Sequence, residues 1–337
     1  MLSANTVLIK EVNKALMRAE FMQLRNATVH QLSRKTGLSV VTVASLLSEM
    51  QETGEVLIGS AIPSNGGRPS ILYTYNENFR QAVVIYGCQK NNSNLIHFLI
   101  VNLYGECLAR QEAYVPEVEI GGFSAYIDEA VQKFPAIGAI GFGLPGPEED
   151  GVILGGDYKK LIGGEFMRFY RERYGLPVAF INDVNAAVSG FYKEHANLRC
   201  VAGLYFPRIY RVGAGILMNG KIHTGFRSFA GELACMPSQT DWLGLDYTDR
   251  AAVTEAVGKL LATYCCIVAP EQFVLYGDFF EIGSAEEIQT YTQSLVPPYF
   301  RVSVCVSGSF EKDFEQGVIR AALEQLNDSI IITKKGI

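Results

Sequence analysis

Residues 28–50 read TVHQLSRKTGLSVVTVASLLSEM, two short helical patterns broken at Lys35-Thr36-Gly37-Leu38-Ser39. Val29 and Leu32 mark the inner side of the first pattern. Gly37 permits the left-handed backbone of a tight turn, and Ser39 can cap the second pattern by accepting a hydrogen bond from its free amides. Val43, Leu46, Leu47 and Met50 recur at helical spacing on one face of that second pattern, which leaves Val40, Val41, Thr42, Ser45 and Ser48 outward. This is the sequence form of a helix-turn-helix, whose second helix enters a DNA major groove and offers its outward residues to bases and phosphates. Over these residues alone, an ordinary helical hairpin reads the same way.

The flanking segments favour the first reading. Glu55–Ile58 and Ser70–Tyr75 are strand-like runs around Asn65-Gly66-Gly67-Arg68-Pro69, so the segment closes as a β-hairpin wing. Upstream, Leu8, Ile9, Val12, Leu16 and Met17 form one apolar stripe and supply a third helix for a small core. Arg34, Lys35 and Arg68 are placed to reach phosphates, and Arg68 could also enter a narrow minor groove, with a solvated turn as its alternative role. The expected organisation is a winged helix-turn-helix DNA-binding domain over residues 1–76 and a larger two-lobed body over 77–337.

Composition agrees with a body of that size. The chain has 337 residues, 48% hydrophobic and 19% charged, enough apolar material for more than one core and no low-complexity tract. No signal peptide is legible at Met1-Leu2-Ser3-Ala4 and no apolar run is long enough to span a bilayer, so a cytoplasmic location is expected. Seven scattered cysteines form neither a disulfide framework nor a zinc-finger spacing. The net charge of −6 is unevenly spread: residues 1–80 hold eight Lys or Arg against six Glu and no Asp, a surplus of two, which leaves the remainder at −8. The acidic body therefore faces something other than a phosphate backbone, and two copies of the weakly basic module would be needed to hold DNA.

Beyond Tyr75 the pattern becomes α/β. Residues 81–87, 95–102 and 107–115 read as strands, 123–134 as a helix and 137–142 as a buried strand. After that strand comes Phe142-Gly143-Leu144-Pro145-Gly146-Pro147; after a second, at 177–180, comes Ile181-Asn182-Asp183-Val184-Asn185-Ala186-Ala187; Ala230-Gly231-Glu232 follows later. In this order the three runs resemble the ROK family of repressors, open reading frames and sugar kinases, and the Gly66–Pro69 run is similar to the end of the winged helix in that family's repressors. A helix near 249–269, a strand at 272–276 and a final helix near 310–326 complete the likeness. It implies an actin-like, ribonuclease-H-like sugar-kinase body. It further implies that Asp183 stands where the kinases keep the base that takes the sugar hydroxyl's proton, and that Asn182 and Glu232 stand where sugar hydroxyls are bound. A carboxylate favoured by the dipole at a helix N-terminus is the alternative role for Asp183.

The departures from the family decide between enzyme and regulator. Kinase members open the body with an aspartate-x-glycine-glycine-threonine turn around the ATP phosphates, where this chain has Tyr86-Gly87-Cys88-Gln89-Lys90-Asn91-Asn92. The second phosphate loop is replaced near Arg208-Ile209-Tyr210-Arg211, with only Gly213 and Gly215 remaining. The family's zinc-binding histidine and cysteine loop are missing after Glu232, where Cys235 alone survives as a ligand type. The resulting expectation is a sequence-specific DNA-binding regulator, a repressor responding to a sugar or related ligand, a homodimer or higher homo-oligomer, with neither cofactor nor metal and no phosphoryl transfer. Its alternatives are an ATP-dependent sugar kinase with an N-terminal extension, and a ligand-free dimerisation scaffold.

Overall fold

The computed structural model of the chain describes residues 4–62, 69–90, 93–208, 211–237 and 240–326. Arg68, expected at the phosphates, and most of the wing tip lie outside the described residues. The first unit consists of α1 (Ala4–Leu24), β1 (Asn26–Thr28), α2 (Val29–Thr36), α3 (Val40–Glu52), β2 (Val56–Ile62) and β3 (Ser70–Tyr75), with β3 central in an antiparallel three-stranded sheet. This is the winged helix order. Thr28 and Gln31 close a capping box on α2, Gly37 turns the chain at φ 76°, and Ser39 caps α3 through the Thr42 amide. Leu32, Val43, Leu46, Leu47 and Met50 are all buried, as the periodicity requires.

One expectation for this unit is corrected. Leu8 and Ile9 are 57% and 60% exposed; of the expected stripe Met17 is fully buried, and it is joined in the core by Phe21. A helix of 21 residues is about 31 Å long, more than a three-helix unit can cover, so only its second half is packed. That half is held by a buried carboxylate: Glu55, 3% exposed, accepts from Arg18 at 2.5 and 3.1 Å and from the Tyr75 hydroxyl at 3.1 Å. Only such saturation makes a buried charge tolerable.

The body follows as β4 (Gln81–Lys90), β5 (Ser93–Asn102), β6 (Cys107–Val115), α4 (Ser124–Lys133), β7 (Ile137–Gly143), the short hairpin β8 (Glu148–Glu149) and β9 (Val152–Ile153), α5 (Phe166–Tyr174), β10 (Val178–Ile181) and α6 (Asp183–Glu194). Next come β11 (Cys200–Tyr205), β12 (Gly213–Met218), β13 (Lys221–Ile222), α7 (Arg250–Ile267), β14 (Gln272–Tyr276), α8 (Ser284–Leu295), β15 (Val304–Val306) and α9 (Phe310–Glu324). The sheets run β6-β5-β4-β7-β10 and β13-β12-β11-β14-β15; in each, three antiparallel strands are extended by two parallel ones. One topology is thus used twice, which makes the two lobes. Helix α8 and strand β15 have no counterpart in the sequence reading, because α8 buries little more than Ser284, Ile288 and Thr292 and shows a correspondingly weak apolar period.

Helices α6 and α9 are exchanged between the lobes. Each follows the last strand of one sheet and packs on the other: α6 against β11 and β12, α9 against β4, β7 and β10. They cross each other through glycines, since a Cβ at Gly190 would lie 1.9 Å from the Asp313 carbonyl oxygen and one at Gly317 would lie 1.8 Å from that of Ala186.

The turn between β5 and β6 joins the first unit to the body. Arg25 pairs with Glu106 at 2.7 Å and lies 4.3 Å over the Tyr104 ring, while the Tyr104 hydroxyl donates to the Phe21 carbonyl. No helix among the described residues is long and apolar enough to cross a membrane.

Gly317→Ala is expected to cost about 3 kcal/mol or more in urea unfolding, at or above the upper end of ordinary overpacking, because the added methyl meets backbone rather than a flexible side chain. A loss below about 0.5 kcal/mol, the range of a neutral surface change, would show that the two helices do not cross this closely.

Candidate functional site

The cleft between the lobes is built from chain ends. Beyond β7, Gly146 and Gly156 lie back to back across the turn that carries β8 and β9; a Cβ at Gly146 would sit 2.1 Å from the Gly155 oxygen, and one at Gly156 would sit 2.5 Å from the Pro145 oxygen. Beyond β10, Asn182 caps α6 by accepting from the Asn185 amide at 2.8 Å, and Asp183, the first helical residue, accepts from the Val184 amide at 2.9 Å. From the other lobe, Gly231 at φ 96° presses against β12 and turns Glu232 into the gap. Asn182, Asp183 and Glu232, expected together from the resemblance, line one cleft of about 580 Å³. Asp157, Lys159, Arg211 and Cys235 share it. Asp157 had no sequence signal beyond the Gly155-Gly156 pair before it.

Three acids, Asp157, Asp183 and Glu232, share this cleft with two cations, Lys159 and Arg211. Burial, with Asp157 and Glu232 nearby, lifts the Asp183 carboxyl to about 6, the Val184 amide opposing the rise, and burial also raises Glu232. Three acids with few protein donors suit a ligand that brings hydroxyl hydrogens. Asn182, by contrast, has its oxygen occupied by the cap, so only its amide hydrogens remain for a ligand.

The side where the resemblance puts a nucleotide is walled by Gly87, Cys88, Tyr205, Arg211 and Gly213. Strands β4 and β5 pair without interruption from Gln81 with Asn102 to Lys90 with Ser93, so a straight ladder stands where a phosphate turn would curl. The space beside Gly87 is taken by the Tyr158 hydroxyl and the Ile96 side chain, both 2.7 Å from where a Cβ would be. Tyr205 stacks on Phe310 at 4.0 Å, and with Phe314 they line the cleft. Arg208, expected to fill phosphate space, instead turns away to Asp278 at 2.8 Å and the Phe279 ring; Ile209 and Tyr210 lie outside the described residues.

The segment after Glu232 does not fit zinc. Cys235 is exposed, and the described residues contain no group of three or more His, Cys, Asp or Glu placed to hold a metal. An aromatic cluster holds the segment instead: Trp242 lies 5.3 Å from Phe206, and Tyr247 lies 4.5 Å from Phe279.

At the other end of the molecule, α3 presents its first turn outward. Val40 and Val41 are 41% and 79% exposed, Ser45 and Ser48 are exposed, and so is Ala44, which the sequence reading passed over. Thr42 is half-buried and its hydroxyl is tied to that of Ser39 at 2.8 Å, so it is the least available residue of the set. Lys10 and Lys14 pair with Glu49, Arg18 with Glu55 and Arg25 with Glu106. Arg34 and Lys35 at the end of α2 are exposed and have no ion-pair partner among the described residues. The small basic surplus is therefore concentrated beside the outward face of α3.

An acid whose folded value stands above the ordinary 3.8 is destabilising once ionised, so Asp183 makes stability fall as pH rises from about 4 to about 6. Asp183→Asn, which can still accept from Val184, is expected to raise stability at pH 7 by about 1–2 kcal/mol after discounting for its partial exposure, and to give no gain below about pH 4. Thermal melts of both proteins across that range measure it. A gain equal at both ends would assign the effect to packing.

Residues 93–243 match the ROK family model. A putative xylose repressor of Caldicellulosiruptor sp. (strain Rt8B.4) is 28% identical over 268 residues, covering 76% of this chain and 64% of that protein. The xylose repressor of Bacillus subtilis (strain 168) is 24% identical over 247 residues, 69% of this chain and 62% of that one. The chain thus spans less than two thirds of the length of these curated relatives. Among solved structures, a ROK family transcriptional regulator that is a homologue of the E. coli MLC protein superimposes with a TM-score of 0.68 at 14% identity, over 93% of this chain and 98% of that one. The ROK hexokinase from Thermus thermophilus does so with a TM-score of 0.60 at 17% identity, over 74% and 100%. Matching motifs, matching family model and matching fold converge: the chain carries a ROK-family domain, and its body has the family's sugar-kinase-like fold.

Proposed function

We propose that this protein is a sequence-specific DNA-binding transcriptional regulator, a repressor whose body senses a sugar or related ligand and performs no phosphoryl transfer. The observation that supports this reading is a contrast within the cleft: the polar residues Asn182, Asp183 and Glu232 are together, while the side opposite carries a continuous β4–β5 ladder and stacked aromatic rings in place of a glycine turn. Phosphoryl transfer is almost entirely positioning and electrostatic stabilisation of the phosphoryl group, so a retained base does not suffice for it. The proposed division is residues 1–76 for DNA and 77–337 for ligand and self-association.

In this reading α3 enters the major groove. Val40, Val41 and Ser45 meet base edges, with Val41 suited to a thymine methyl and Thr42 held behind them by Ser39, and Arg34, Lys35 and Arg68 hold phosphates. Two modules on a two-fold axis would read half-sites about 34–36 Å apart, an imperfect palindrome. Relatives named as xylose repressors make a pentose the first effector to try. The kinase reading keeps one observation in its favour, the Asp183 carboxyl poised near neutrality.

Selection of bound fragments from genomic DNA by the full chain tests the DNA half. Val41→Ala is expected to change the preferred base at one position of each half-site, whereas Arg34→Ala weakens binding to every sequence and lowers the salt slope by about one. Absence of any preferred site would end the regulator reading. The ligand half is read by calorimetry against xylose, hexoses and amino sugars, with affinity lost in Asp183→Ala and Glu232→Ala. Sugar-dependent ATP consumption that disappears in Asp183→Asn would instead establish the kinase.

A further inference from the structure

Helix α6 is buried around most of its circumference, with Val184, Ala186, Val188 and Phe191 in the core. One stripe is polar: Asn182, Asn185 and Ser189 follow at spacings of three and four, so they project on one side. That stripe lines a second cavity of about 690 Å³, which opens between β10 and β13, the edge strands of the two sheets, and does not include Asp183. Ser189 is only 5% exposed, and its hydroxyl has no hydrogen-bond partner among the described residues. A hydroxyl so placed in an otherwise apolar helix is costly unless something in the cavity pairs with it.

Two cations face the stripe from opposite lobes. Arg171 on α5 has only the Val178 carbonyl at 3.3 Å, and Lys221 on β13 has no ion-pair partner among the described residues. Of the three acids at the rim, Glu148 accepts from the Gly151 amide and Glu324 from Arg320 at 3.0 Å, while Glu232 stands on the side shared with the Asp183 cleft. Asn182 and Glu232 border this cavity and the Asp183 cleft alike.

We propose that this cavity is a second ligand site for a small polyhydroxylated anion, a sugar acid or a sugar phosphate. Its hydroxyls pair with the Asn182–Asn185–Ser189 stripe and its charge rests between Arg171 and Lys221. The assignment does not depend on the effector role of the Asp183 cleft. Because two residues wall both spaces, ligands in the two are thermodynamically linked, each changing the other's affinity by the same factor.

The test is calorimetry on the full chain with D-gluconate, D-glucose 6-phosphate and, as the uncharged counterpart, D-sorbitol. Saturable binding of at least one anion is expected, with sorbitol about tenfold weaker or more, as loss of one ionic contact would give. Which anion binds separates a carboxylate from a phosphate ligand. Ser189→Ala and Lys221→Gln, neither of which disturbs core packing, should each weaken the anion about tenfold, while Asp183→Asn leaves it within about twofold. Binding of neither anion, sorbitol as tight as both, or a loss confined to Asp183→Asn would overturn the site.

Discussion

Everything in the body hangs on the crossing of α6 and α9 at Gly190 and Gly317. Each helix is delivered by one sheet and packed on the other, so neither lobe has a complete core without the helix its neighbour supplies. Backbone meets backbone at the crossing, which leaves no side chain to yield and makes the approach nearly rigid. The first turn of α6, with Asp183, and the first turns of α9, with Phe310 and Phe314, both open into the main cleft. Further along, Asn185 and Ser189 on α6 and Arg320 on α9 open into the second cavity. One contact thereby sets the geometry of two ligand-sized spaces on either side of it.

The same helix reaches toward the winged helix unit. Gly105, in the turn between β5 and β6, rests against Ile319 and Leu323 of α9, and the neighbouring Tyr104 and Glu106 hold Phe21 and Arg25 of the winged helix unit. Leu103 packs in the core of the body and in that of the winged helix. A displacement of α9 by a bound ligand would pass through packed atoms and one ion pair to the base of α1. Such a route alters DNA affinity only in so far as the ligand prefers one position of α9 over another.

The proposed loss of phosphoryl transfer and the proposed retention of sugar contacts are physically compatible because the residues concerned lie on different elements. The acids depend on the turn beyond β10 and on Gly231 against β12, whereas the phosphate side depends on how β4 leaves its sheet. The β4–β5 ladder runs on to Lys90, while Asp183 and Glu232 stay together in the cleft. Aromatic packing around Trp242 supports the segment after Glu232.

What the sequence by itself determined is local. The cap at Ser39, the turn at Gly37, the inward faces of α2 and α3 and half the strands of the body were legible because each rests on neighbours a few residues apart. The motif residues Asn182, Asp183 and Glu232 were legible as a set only through resemblance, and Arg68 could not be placed. Other features were decided by contacts between distant segments. Leu8 and Ile9 fit an apolar stripe yet stand in solvent, since the length of α1 exceeds the surface available to cover it. Thr42 reads as free on a helix face yet is tied to Ser39, and four of the basic residues are neutralised by ion pairs that no spacing rule announces. The repeated sheet topology, the exchange of α6 and α9 and the polar stripe facing a second cavity belong to the tertiary structure alone, because periodicity tells which side of a helix is polar but not what lies opposite it.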